Sequence, residues 1–198
     1  MSKLTSFAQI RALDKNRALV LSTALIQRML PNYFLFCEVL GKDRLTIEAH
    51  QASASNLVNL LWETSTNKAM KLNVDAQSEK LEEITPSTTE HDNLGVYAAL
   101  DFCMALSAAL QLIGNEDEQA AVTVAKLSQG SVERHIHAIL GEEVTGEALK
   151  LHPLMQFELE TLNEVLAVCQ SKKLSSEHIK ALRNDMREQG VSNLGIEC

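Results

Sequence analysis

The chain has 198 residues, 45% hydrophobic and 22% charged, the balance of one soluble globular domain long enough to bury its own core. Its net charge of −8 is uneven: residues 1–60 carry +3 and residues 61–198 carry −11, and an acidic body of this kind excludes a general nucleic-acid partner. Gly (8), Pro (3) and aromatic residues (4%) are scarce while Ala and Leu are abundant, which favours helix over strand.

Ser6 with Gln9 fits a capping box and predicts a first short helix. Asp14 caps a second, about Lys15 to Leu30, with apolar residues on two neighbouring faces; Pro31 is expected to end it. Asn32 to Leu40 reads as a short, very apolar helix stopped by Gly41. Asp43 caps the next, which runs through Leu45 and Ile47 and continues or restarts through Leu57 to Trp62, with a soft middle at Ala52–Ser55. Asn73 to Ile84 gives a helix with one wet face (Glu79, Glu82, Glu83), followed by a loop from Pro86 to His91.

Leu94 to Ile113 is apolar nearly all round and predicts a buried central helix, capped by Asp92 or Asn93 and closed by Gly114 with Asn115. Only Asp101, Ser107 and Gln111 are strongly polar within it. Asn115 with Glu118 signals another helix start, and the run to Leu140 has a 3.6-residue rhythm with Gly130 as a kink or close helix contact. Gly141 to His152 is loop-rich. Leu151, Met155, Leu159, Leu162, Leu166 and Cys169 form a clean amphipathic stripe, with Glu158, Glu160 and Glu164 off it. A last helix, about Ser176 to Gln189, is closed by Gly190, and Val191 to Cys198 is a tail. The expected fold is all-α: one domain over residues 1–198, a compact bundle of about eight or nine helices around the segment 94–113.

Cys37, Cys103, Cys169 and Cys198 lie far apart with no ligand spacing, so they read as free thiols in a reducing cytoplasm. The first fifteen residues lack the uninterrupted apolar core of a signal peptide. The longest charge-free runs, Ala49–Trp62 and Phe102–Asn115, are shorter than the roughly 18 apolar residues of a membrane span. A cytoplasmic protein with no membrane partner is expected.

No phosphate-binding glycine loop, nucleophile elbow or HExxH occurs, and no His has a Glu three residues before it, so the di-iron bundle pattern is missing. His135 and His137 point about 200° apart on a helix and cannot share one metal. The sequence assigns no catalytic residue, no metal site and no cofactor. Asp101, flanked by apolar positions, is either part of a wet edge or a structural ion pair, or else a carboxylate facing a cleft; Arg183 and Arg187, four apart on one helix face, are its candidate partners, with Lys71 and Lys80 behind them. Trp62, the one tryptophan, ends an apolar helix beside Glu63 and reads as core or as a ligand-facing indole.

Several segments together resemble the YjaG family of bacterial proteins, a domain-of-unknown-function family. They are Pro31-Asn32-Tyr33 with Phe36-Cys37; Leu61-Trp62-Glu63-Thr64; Lys71 to Glu83; Gly95-Val96-Tyr97 with Asp101; Ala105-Leu106-Ser107; and Leu182 to Ile196. The likeness runs in order over nearly the whole chain. Ala98 and Met186 depart from its pattern, and residues 115–150 match poorly. It implies a compact all-α domain in a bacterial cytoplasm and carries no activity, substrate or catalytic residue. The polar residues that share its pattern are Asn32, Glu63, Asp75, Glu79, Asp101, Arg183, Arg187 and Asn193.

Two functional readings follow. The first is a non-enzymatic module that binds a protein partner or a second copy of itself, with the Leu151–Cys169 stripe as a docking face or as core. The second is a small-ligand or metal-binding protein, the hydrolase form included. Its cleft would be lined by Trp62, Glu63, Tyr97, Asp101, Arg183 and Arg187.

Overall fold

A computed structural model describes residues 4–40, 43–67, 69–89, 93–141 and 143–197. These form nine α-helices: α1 (Ser6–Arg11), α2 (Lys15–Val39), α3 (Arg44–Thr66), α4 (Val74–Ile84), α5 (Leu94–Gly114), α6 (Ala120–Leu140), α7 (Gly146–Leu151), α8 (Pro153–Cys169) and α9 (Ser176–Glu188). Among the described residues the one β pairing is an isolated bridge between Val191 and Glu197 in the tail. The expected all-α architecture is what the chain adopts.

Asp14, Asp43, Asn73 and Asn93 cap α2, α3, α4 and α5, each side chain accepting a backbone N–H of the first turn. Asp92 and Gly41, considered as a cap and a stop, lie outside the described residues, as do His91 and Cys198. Thr5, not Ser6, caps α1. Asn115 adopts the left-handed conformation (φ 62°) that closes α5. It does not start α6, which begins at Ala120 without a side-chain cap.

The largest departure from expectation is Pro31. It does not end a helix: α2 continues through it to Val39 as one 25-residue element. An interior proline costs about 3 kcal/mol because it removes a ladder hydrogen bond. Beyond it, Tyr33, Phe36 and Cys37 are buried, the Tyr33 hydroxyl donates to the Ile84 carbonyl at 2.8 Å, and its ring packs 5.2 Å from that of Phe102. These contacts hold the two halves in line. The soft middle of α3 is likewise unbroken helix, and the expected loop at 141–152 contains α7. Because α8 starts at Pro153, Leu151 falls outside the stripe and is exposed; Met155, Leu162, Leu166 and Cys169 are core.

α5 packs against α2, α3, α4 and α6, and keeps one edge at the surface through Leu94, Tyr97, Met104 and Gln111. Despite Asp101, it is long and apolar enough to cross a membrane, but most of it is buried against other helices, the position of a core helix. α6 passes through Gly130 unbroken, and a Cβ built there meets nothing within 4 Å, so this glycine serves no close helix contact.

A polar knot joins α2, α6, α8 and the tail. Arg28 Nη1 donates to Glu158 Oε2 at 2.6 Å, and Ser128 Oγ donates to Glu158 Oε1 at 2.6 Å. Asn193 Nδ2 donates to the Ser128 carbonyl (3.2 Å), Asn32 Nδ2 donates to Asn193 Oδ1 (2.8 Å), and the Asn193 N–H reaches the Arg28 carbonyl (3.3 Å). All five side chains are buried, so Glu158 is not on the wet face of α8. The knot fixes the tail over α2 and so builds one wall of the groove described next.

Candidate functional site

Every fourth or third residue of α2 faces a groove between α2, the end of α9 and the tail. Gln27, Leu30, Pro31, Phe34, Leu35 and Glu38 form its α2 wall; Met186, Arg187, Val191 and Ile196 stand opposite, and the volume is about 460 Å³. That lies in the range of ligand sites, and most of the lining is apolar. Leu35 is 42% exposed there. Pro31 has no N–H to give the Gln27 carbonyl, so α2 leaves a main-chain acceptor without its helical donor on this face.

At the Gln27 end, four of the sequence-predicted site residues sit close together. Trp62, buried on α3, donates its indole N–H to Gln27 Oε1 at 3.2 Å, and Arg187 Nε points at the same oxygen from 3.5 Å. Arg183 Nη2 and Arg187 Nη2 both donate to Asn59 Oδ1, at 2.7 and 2.8 Å. Glu63, exposed on α3, acts on Arg183 by charge. Among the described residues neither arginine has a carboxylate within 4.0 Å. Burial, and then the neighbouring Arg187 charge, lower the basicity of Arg183. Two guanidinium groups thus share one neutral oxygen, and Arg183 Nε is buried without a hydrogen-bond partner.

Tyr97 and Asp101 are engaged elsewhere. Asp101, 6% exposed, receives Arg134 Nη1 at 2.6 Å; its ion-pair partner is on α6 and is neither Arg183, Arg187, Lys71 nor Lys80. Burial lifts the Asp101 pKa above the usual carboxylate range although the Arg134 hydrogen bond and charge pull it down. The Arg134 guanidinium lies 5.6 Å from the centre of the Tyr97 ring. The ring borders a more open cavity of about 580 Å³ with Leu94, Gly130, Glu133, Arg134 and His137. His137 Nε2 is 2.9 Å from the Val144 carbonyl, a contact that ties α6 to the segment after it. Cys37, Cys103 and Cys169 are buried thiols, and burial pushes Cys103 and Cys169 up to about 12. Among the described residues no three His, Cys, Asp or Glu side chains group closely enough to hold a metal ion.

Sequence reasoning missed Gln27 and Asn59, the two amides on which the site turns. A signal existed for the first: Gln27-Arg28 interrupts an otherwise apolar stretch of α2 with two polar residues that both prove buried.

The chain is 35% identical to the uncharacterized protein YjaG of Escherichia coli, over 95% of this chain and 94% of that one. It is 34% identical to an uncharacterized protein of Haemophilus influenzae, over 96% and 95%. The crystal structure of a DUF416 family protein from Shewanella baltica superposes with a TM-score of 0.88 at 35% identity, covering 99% of this chain and all of that one. The family model for proteins of unknown function DUF416 matches residues 5–197, and the chain belongs to that family.

Proposed function

We propose that this protein is a non-enzymatic interaction module of the bacterial cytoplasm, and that it takes an apolar segment of a protein partner into the groove between α2 and α9. The observation that carries this reading is the composition of the α2 wall. Leu30, Pro31, Phe34 and Leu35 form a continuous apolar strip along the groove, with Leu35 exposed, Pro31 and Phe34 half-buried and Leu30 buried, in a chain that buries its other apolar stripe, Met155 to Cys169. The Gln27 carbonyl, left without a helical donor, offers an acceptor to the main chain of a bound segment. The acidic body disfavours nucleic acid as the partner.

A photo-crosslinking residue placed at Leu35, and separately at Met104 on the exposed edge of α5, tests this in bacterial cells. Discrete protein adducts are expected from position 35 and not from position 104, and Arg187→Gln should weaken them. Indistinguishable adduct patterns at the two positions would sink the reading. The groove volume also suits a small molecule, and native mass spectrometry separates the cases: a retained adduct below peptide mass would favour the small-ligand reading.

A further inference from the structure

We infer that the groove recognises a chain end: the C-terminal carboxylate of the bound segment seats on the Arg183–Arg187 pair. This deepens the groove reading and rests on it. Two guanidinium groups converge on the single oxygen of Asn59, at 2.7 and 2.8 Å, with no carboxylate within 4.0 Å of either among the described residues. An anion between them would relieve their repulsion and satisfy donors that Asn59 alone cannot.

Arg187 lines one end of the groove, and Arg183, outside the lining, adjoins it through the shared Asn59 oxygen. Arg187 approaches Gln27, whereas Glu38 marks the other end of the α2 wall. From residue 27 to residue 38 a helix rises about 16 Å. An extended chain of about five residues covers that length. A segment lying on the apolar strip therefore meets the arginines with its terminus, and its upstream end lies by Glu38, where a lysine or an ammonium group is favoured. The acidic residues in the groove walls, Glu38 and Glu197, oppose a doubly charged phosphate more than a single carboxylate.

The test is calorimetric titration of the full chain with a pentapeptide, one lysine followed by leucine, valine, leucine and leucine, prepared as free acid and as C-terminal amide. The acid should bind, and amidation should weaken it roughly tenfold or more. Arg187→Gln should abolish the difference between the two forms, and Arg187→Lys should keep part of it. Arg187 is exposed, so these variants retain the fold, checked by circular dichroism. Equal binding of acid and amide overturns the carboxylate inference and leaves the groove reading standing. No binding of either form at about 1 mM overturns both. If inorganic phosphate displaces the acid, and still binds after Leu35→Glu blocks the groove, the pair is a free-anion site and the inference falls.

Discussion

Arg28 Nη1 lies 2.6 Å from Glu158 Oε2, and both side chains are fully withdrawn from solvent. The charges come from residues 130 positions apart, and Ser128 and the Phe157 ring, 4.7 Å from the guanidinium, complete their surroundings. Removing one partner leaves the other charged and buried. Glu158→Gln should cost about 3–5 kcal/mol in urea unfolding, whereas the double change Arg28→Met with Glu158→Leu should recover most of that loss. Equal losses in the single and double variants would show that the ion pair is not the determinant.

Asn59 should trade stability against binding. Asn59→Asp places a carboxylate on the oxygen that Arg183 and Arg187 already address. In a partly exposed setting this is worth about 0.5–1 kcal/mol, so the melting temperature should rise by roughly 1–4 °C. Binding of the carboxylate-terminated peptide should fall together with that gain, because the site has been neutralised from within. A destabilised variant would mean that the pair is already compensated.

The pH dependence of stability should carry a signature of Asp101. Its pKa is raised in the fold by burial, which outweighs the hydrogen bond and charge of Arg134. Below the unfolded value of 3.8 both states hold the proton and the group contributes no slope. As pH rises above it the unfolded state releases its proton first, so stability falls until the folded carboxyl has also ionised. Asp101→Asn should flatten that decline, read as the urea midpoint between about pH 3 and pH 7. Glu158 is raised as well and adds a slope of the same sign, so the contribution of Asp101 is the difference between variant and parent.

Gly130 is a simpler case. It sits inside α6, and an added Cβ would meet nothing within 4 Å. Gly130→Ala should stabilise by about 1 kcal/mol, through lower backbone entropy of the unfolded chain, and raise the melting temperature by about 2–4 °C. A loss of stability would place a close contact where none is visible.

The helices were largely legible because their apolar residues recur at 3.6 positions and their caps are ordinary Asp and Asn residues. Pro31 was misread because a local rule met a tertiary contact: the Tyr33 hydrogen bond and ring packing hold α2 straight across it. The burial of Glu158 was not legible for a related reason. An off-stripe carboxylate signals solvent unless its counter-charge is known, and Arg28 is 130 residues away. For the site, the periodicity of α9 brought Arg183 and Arg187 to one face, and Trp62 joined them. The partner of Asp101 could not be read, since choosing Arg134 over other cations requires the pairing of α5 with α6.

The polar knot also sets an order of events for folding. α5 and α6 are neighbours in sequence and can pair over a short loop, whereas the contacts of Arg28 and Asn32 close loops of 130 and 161 residues. Such closures are expected on the late side of the folding barrier. Substitutions at Glu158 or Asn193 should therefore speed unfolding and leave the refolding arm nearly unchanged, while substitutions between α5 and α6, at Val132 or Ile136, which cluster with Ala98, should slow refolding. The knot is then a kinetic latch: it governs how long the α2–α9 groove stays assembled, more than how fast the chain finds it.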